Sequence, residues 1–353
     1  MVKLSYFKLA FIIIGSVVGA GFITGRELIR FFGSTNFIPS VYIACILLFF
    51  FSYLLMDIGR HYGTLKEANN KIFKNNSKYV AGITYFCLLI ITAGMLAGID
   101  TLLNSTFGLP SYLPIFSIPC LILANIISSK GLDGIAKISV ILVPLLIIFI
   151  LYFLLGRKNF SYDFNEKYCA FNSLIMAVLY SSMNMFLAAP ILIETGNRFK
   201  TGLKKGALIA SISVFICIVL ILSAICYEGS NAIIAEMPML YITGYSGNLA
   251  KIFILMVLFA MFTSLVSSYY PLYNSFKNER KKHYKRLIIS IVAFIISRFG
   301  LSGIVMYFYP ILGTFGIIYL LICGKYMAKD KGLFPFDRKF FYHSYNKVHN
   351  RSK

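Results

Sequence analysis

The chain is short of charge. Asp, Glu, Lys and Arg make up 13% of its 353 residues, against 58% hydrophobic residues and a mean hydropathy of +0.77. That leaves too few polar side chains to cover a water-soluble surface, which excludes an ordinary soluble enzyme. Histidine is scarce, and all four (His61, His283, His343, His349) fall in polar connections or the tail. The seven cysteines are scattered, mostly inside apolar runs, without a CxxC spacing. Neither a metal site nor a disulfide framework is therefore expected, and the cysteines read as small packing residues. Acidic side chains are also few, with 13 Asp and Glu facing 34 Lys and Arg for a net charge of +21. Such an excess suggests a nucleic-acid partner when it forms a patch; here it punctuates apolar segments, and none is expected.

Long apolar runs are what the chain has in abundance. A hydrocarbon layer of ~30 Å needs roughly 20 residues of apolar helix. Ten such runs predict spans at 6–32, 37–58, 79–105, 112–129, 134–155, 170–196, 203–227, 249–275, 287–301 and 304–325. With the N-terminus inside, 27 of the 34 Lys and Arg fall on the cytoplasmic side. The reverse orientation would put Lys277, Arg280, Lys281, Lys282, Lys285 and Arg286 outside, against the retention of positive residues in the cytoplasm. The expectation is a multi-pass protein of the cell membrane with both termini cytoplasmic. Lys3 and Lys8 before an apolar core and Gly19-Ala20-Gly21 also fit a cleavable signal peptide, but the apolar residues continue to Phe32. Between spans 2 and 3, Leu65, Ala68, Ile72 and Phe73 among charged residues predict a short helix on the inner membrane surface.

Span 1 carries Gly15, Gly19 and Gly21 in the segment Gly15-Ser-Val-Val-Gly-Ala-Gly-Phe22. Each glycine costs a helix about 1 kcal/mol relative to alanine, so a stretch unwound at mid-membrane is one reading. A GxxxG helix-packing face through Gly15 and Gly19 is the other. Span 6 has its own irregularity, the polar cluster Tyr180-Ser-Ser-Met-Asn184 followed by Pro190, and is expected to be broken too. Spans 1 and 6 each open a set of five. Five is odd, so the two sets insert with opposite topology, the arrangement of inverted-repeat transporters whose site lies between two broken helices. The expected fold is thus all-α and polytopic: ten transmembrane helices in two inverted five-helix repeats, 1–155 and 156–325, with a basic cytoplasmic tail at 326–353.

The chain resembles the sodium-coupled amino-acid symporters of the amino acid, polyamine and organocation superfamily. More narrowly it is similar to the YkvI-type bacterial membrane proteins, through Gly19-Ala-Gly-Phe22 and Gly25-Arg26-Glu27. The resemblance implies a cation site made of the carbonyls of Gly15 and Val18 on span 1, the carbonyl of Ala260 and the hydroxyls of Thr263 and Ser264 on span 8. Five oxygens suit a hard cation, with sodium as the coupling ion, although Ser and Thr in membrane helices also serve as packing residues. No other cofactor is implied. The stretch Lys130 to Lys137, with Pro144 beyond, resembles the start of helix 5 in the same symporters, where Lys137 would lie at the inner boundary.

From the broken-helix pattern the substrate pocket is expected between Ser16, Gly19, Ala20, Gly21 and Phe22 of span 1 and Ser181, Ser182 and Asn184 of span 6, with Tyr85 or Thr92 of span 3 as further candidates. Arg26 and Glu27 would line an outer vestibule. Asp57, Asp100 and Glu194 lie near helix ends and read as solvated or capping carboxylates. The function expected is a secondary active transporter, a cation-coupled symporter for an amino acid or related zwitterion. The alternative is a membrane ligand sensor on the same fold that moves nothing. No catalytic constellation stands within the spans, so no enzyme is expected. The expected partners are a small solute and the lipid bilayer; the sequence suggests no protein partner.

Overall fold

The computed structural model describes residues 2–33, 37–110, 113–130, 148, 170–244, 247–275 and 282–331. Among them there are helices and turns, and no strand. The expected fifth span at 134–155, with Lys137 and Pro144, lies outside the described residues, as does the tail from 332 onward.

The first span is divided into α1 (Val2–Val17), α2 (Ala20–Thr24) and α3 (Arg26–Phe32). The second is α4 (Phe37–Tyr62). The surface helix predicted between spans 2 and 3 is α5 (Leu65–Phe73). The third span is α6 (Ser77–Phe107) and the fourth the shorter α7 (Ser117–Lys130). The second half holds α8 (Ala170–Arg198) and α9 (Leu203–Glu228), the short α10 (Ser230–Ile234) and α11 (Pro238–Thr243), and α12 (Asn248–Asn274). It continues with α13 (Lys282–Ser297) and α14 (Gly300–Gly303), then a π-helical turn at Ile304–Phe308 that leads into α15 (Tyr309–Asp330). Six helical runs among the described residues are long and apolar enough to cross a membrane: Phe37–Tyr62, Leu65–Phe107, Asn172–Arg198, Leu203–Glu228, Asn248–Asn274 and Gly300–Asp330. The ninth span starts and stops earlier than expected. Arg298 and Phe299 bond back three residues, to Ile295 and Ile296, and this tightened turn closes α13.

Two groups of helices pack together. In one, α8 lies along α4 and α15, while α1 and α4 both rest on α9. In the other, α12 lies against α6 and α7, and α13 against α6. The α4–α8 seam is the tightest. Gly59 and Gly196 sit where a Cβ would run into the Ile193 and Met56 carbonyls of the opposite helix, so the two backbones touch there. Outward faces are apolar, as lipid requires: Ile288, Ile291 and Ile295 are exposed along α13, and Ile252, Leu255 and Phe259 along α12.

Helix α5 is set by a capping box. Thr64 Oγ1 accepts from the Glu67 amide at 3.4 Å, and Glu67 Oε2 accepts from the Thr64 amide at 2.8 Å. Those hydrogen bonds hold the Glu67 carboxyl below the usual carboxylate range. The helix is tied to the bundle by Ala68 and Ile72, both buried, and by Tyr319 Oη, which donates to Asn69 Oδ1 at 3.1 Å.

Candidate functional site

The centre of the molecule is organised by the interruption of the first span. The last regular bond of α1 joins the Val18 amide to the Ile14 carbonyl at 2.7 Å. The next amide, Gly19, turns back to Val17 O at 2.9 Å, and Gly19 itself is extended (φ −96°, ψ −173°). The Gly15 carbonyl thereby loses the donor it would have in a continuous helix. Unwinding at Val18–Gly19 is therefore realised. A Cβ on Gly19 would meet nothing within 4 Å, so no neighbouring helix presses on this glycine.

A second bend follows. Gly25 is left-handed at φ +80°, ends α2 and starts α3, and a Cβ there would sit 2.5 Å from Ile225 Cδ1, which would have to give way. The bend turns Glu27 inward. A Cβ on Gly21 would lie 2.9 Å from Glu27 Oε2, so the carboxyl lies against the bare backbone of Gly21. Glu27 is 5% exposed, and its Oε1 accepts from Asn184 Nδ2 on α8 at 3.2 Å. The motif Gly19-Ala-Gly21-Phe-Ile-Thr-Gly25-Arg-Glu27 thus acts as one unit. Its first glycine stands at the break, the second leaves space for the carboxyl and the third aims it.

The sixth span departs from expectation: α8 is one helix of 29 residues, unbroken through the polar cluster and Pro190. The polar side chains bond back to their own helix, Ser181 to Ala177 O at 2.7 Å, Ser182 to Val178 O at 2.7 Å and Asn184 to Tyr180 O at 3.1 Å. Side chains that satisfy themselves on the preceding turn leave no cause to unwind. Ser181 and Ser182, both fully buried, also reach the carbonyls of Ala44 on α4 and Gly313 on α15, at 2.9 Å each. They seat α8 between its neighbours, and Asn184 alone of the three turns toward the first span.

Of the other residues singled out in span 1, Phe22 is buried at 1% exposure, and half-buried Ser16 donates to Ile13 O at 2.7 Å. On α12, Thr263 is buried and donates to Ala260 O at 3.0 Å, while Ser264 is half-buried one position on. Helix α12 packs against α2, the segment after the break. Thr92 donates to Ser268 Oγ at 3.0 Å, joining α6 to α12, whereas Tyr85 faces outward at 40% exposure.

A cleft of about 490 Å³ enters from the end of the bundle where α3 finishes and α8 begins. Its walls include Arg26, Arg30 and Phe31 of α3, Asn172 and Met176 of α8, and Met306 of the π-helical turn. Arg26 lines this cleft; Glu27, placed beside it by sequence, points the other way. Arg26 Nη1 donates to the carbonyls of Ile233 and Ala235 at 3.3 and 3.4 Å, clasping the α10–α11 hairpin. Arg30 Nε donates at 3.2 Å to Met306 O. That carbonyl would have been the partner of the missing N–H of Pro310, so a proline four residues on creates the acceptor that Arg30 uses.

Several residues singled out by sequence have partners that the sequence did not reveal. Tyr180 is fully buried, packs edge-on to Phe31 and Phe32 (5.5 and 4.8 Å between centroids), and its phenol oxygen has no hydrogen-bond partner among the described residues. Asp100 caps α7 by accepting from the amides of Phe116 and Ser117 at 3.0 and 2.8 Å, and it also pairs with Arg298 at 2.7 Å. Asp57, 2% exposed, gathers Arg60, His61 and Lys331 around it. Glu194 pairs at the surface with Arg198. The capping role expected for Asp100 holds, but the ion pair needed Arg298, which is 198 residues away. Among the described residues no group of three or more His, Cys, Asp or Glu could hold a metal ion.

No family model matches the chain. It is 27% identical over 344 residues to YkvI of Bacillus subtilis (strain 168), an uncharacterized membrane protein, with 90% of this chain and 95% of that one covered. It is 25% identical over 337 residues to YyaD of the same organism, with the same coverage. Among solved structures it is similar to a mutant of the Eremococcus coleocola manganese transporter, with a TM-score of 0.61 at 11% identity over 90% of this chain and 77% of that one. It is also similar to Mhp1, a nucleobase-cation-symport-1 family transporter, in a closed conformation with bromovinylhydantoin bound. There the TM-score is 0.51 at 14% identity, over 87% of this chain and 74% of that one. The chain shares the fold of these membrane transporters.

Proposed function

We propose that the chain is a secondary active transporter, a cation-coupled symporter that carries a small zwitterionic solute such as an amino acid. The observation that carries this reading is the broken first span. At mid-membrane it offers freed backbone and a buried Glu27–Asn184 pair, beneath a cleft that reaches in from one end of the bundle. Irregular backbone inside a membrane is tolerated where it lines a site, and exposed amides and carbonyls suit the two ends of a zwitterion. The fold shared with membrane transporters supports the same reading. In it, the cleft is the outer vestibule, and the Arg26 and Arg30 contacts to the α10–α11 hairpin and the π-helical turn form its gate. Transport proceeds as the helices of spans 1, 2, 6 and 7 rock against the rest. The Gly15 and Val18 carbonyls, with Ala260, Thr263 and Ser264, are the proposed sodium ligands.

Reconstitution in liposomes tests this. Uptake of a labelled amino-acid mixture is measured under imposed sodium and proton gradients, and accumulation that needs a gradient is expected. Binding without any gradient-dependent uptake would replace the transporter by a ligand sensor. Thr263→Val with Ser264→Ala is expected to abolish sodium dependence in a protein that still inserts; unchanged dependence would remove that site.

A further inference from the structure

We infer that Glu27 is a proton-binding site of the transport cycle, loaded when the helix segment after the break opens and closed off against Asn184 when it docks on α8. The inference rests on the transporter reading and adds a coupling group to it. Three geometric observations lead there. The carboxyl is buried to 5% exposure, and the single hydrogen bond it makes among the described residues is the 3.2 Å bond from the Asn184 amide. No ion pair holds it among the described residues, although the other buried carboxylates, Asp57 and Asp100, are both paired with basic side chains. Finally, its Oε2 lies against Gly21 and it lines no part of the cleft.

The surroundings sharpen the point. On α3 itself Arg26 and Arg30 turn away, to the carbonyls of Ile233, Ala235 and Met306. Helix α2 contributes no titratable side chain. From α8 comes Tyr180, whose phenol lacks a partner, and from α15 comes Tyr309, both near enough to interact with the Glu27 charge. Tyr307 of the π-helical turn is 63% exposed. Of the other helices against α3, α4 and α9 present Cys45 and Cys217 to Tyr180. Titratable groups on α12, which packs on α2, stand toward its two ends, at Lys251 and at Tyr269, Tyr270 and Tyr273. Nothing in that list is a cation facing the carboxyl.

A carboxylate without a cationic partner, held away from water, is strongly disfavoured, so Glu27 carries negative charge only in a conformation that lets water in. Opening and deprotonation are thereby linked. The proton comes from water on the side to which the site is open, forms the O–H bond on Glu27, and returns to water on the other side after the segment has moved. A conformational equilibrium biased by one bound ligand in this way is sufficient for coupling.

Two measurements test it. Infrared difference spectra of the purified protein in lipid vesicles, taken between acidic and alkaline buffer, read protonated carboxyls directly. A high-frequency carbonyl stretch, the mark of a desolvated acid, is expected in the wild type, absent in Glu27→Gln and retained in Glu67→Gln, whose carboxyl is exposed. Should Glu27→Gln fail to fold, Asn184→Ala keeps the acid and removes its donor, and the band is expected to shift. A band that survives Glu27→Gln, or stays fixed in Asn184→Ala, overturns the inference. In proteoliposomes with equal sodium on both sides, an imposed pH gradient is expected to drive amino-acid uptake by the wild type. Glu27→Gln should lose that response, whereas Glu67→Gln, outside the site, should keep it. Gradient-driven uptake that persists in Glu27→Gln, or wild-type uptake indifferent to pH, also overturns it and leaves the transporter reading standing. Wild-type vesicles that neither accumulate nor exchange any amino acid strike the transporter reading, and the coupling role with it, even where the infrared band is found.

Discussion

The first and sixth membrane spans lie side by side in the fold and handle the same difficulty, polar groups inside an apolar layer, in opposite ways. The first gives up its helix at Val18–Gly19 and again at Gly25. The sixth keeps its helix through Tyr180, Ser181, Ser182 and Asn184 because each polar side chain past Tyr180 finds a carbonyl one turn back. Glycine and serine look alike on a scale of small residues, yet glycine removes a side chain that could repair the ladder, and serine supplies one. The break is therefore on one side only. A continuous α8, gripped by α4 and α15, forms a wall on which α3, set off from α1 by the break, is packed.

The comparison can be broken most severely at the wall. Gly196→Val pushes a side chain into the Met56 carbonyl across the α4–α8 seam, where overpacking costs ~3 kcal/mol or more. Loss of monodisperse protein in mild detergent is the expected result, and a normal yield with an unchanged melting temperature would refute the backbone contact. A smaller loss, about 2 kcal/mol, is expected for Gly25→Ala, from the left-handed backbone and the approach of Ile225. Pairing it with Ile225→Ala should recover the steric part alone, leaving a residual drop in melting temperature. Ser182→Ala removes a hydroxyl that reaches Gly313 across helices and should cost roughly 0.6 kcal/mol, with uptake retained. A collapse of uptake there would return Ser182 to the substrate site. Gly19→Ala closes the series. The position is extended and open, so thermal stability should stay within about 1 kcal/mol, the propensity difference that separates the two residues in a helix.

Much of the membrane layout was legible because it depends on runs of apolar residues, and runs are local. The limits of spans 2, 3, 6, 7 and 8 fall within a few residues of those expected. The break in span 1 was legible for the same reason, three glycines in seven positions. What misled was the polar cluster of span 6, since Ser and Asn mark both broken helices and intact ones, and the difference is made by hydrogen bonds to the preceding turn. Glu27 was misplaced by one side chain: reading along the chain puts it beside Arg26 in the vestibule, while the left-handed turn at Gly25 sends the two in different directions.

The sequence by itself determined that this chain belongs to a membrane, where its long apolar helices run and where the first span gives way. Burial in lipid and the cost of glycine in a helix act within a few residues of one another. Only the tertiary structure decided that Asn184 meets Glu27, that Arg298 answers Asp100, that Pro310 prepares a carbonyl for Arg30, and that the sixth span stays whole. Each of these joins groups distant in sequence or turns on the direction of a side chain, and no local pattern encodes either.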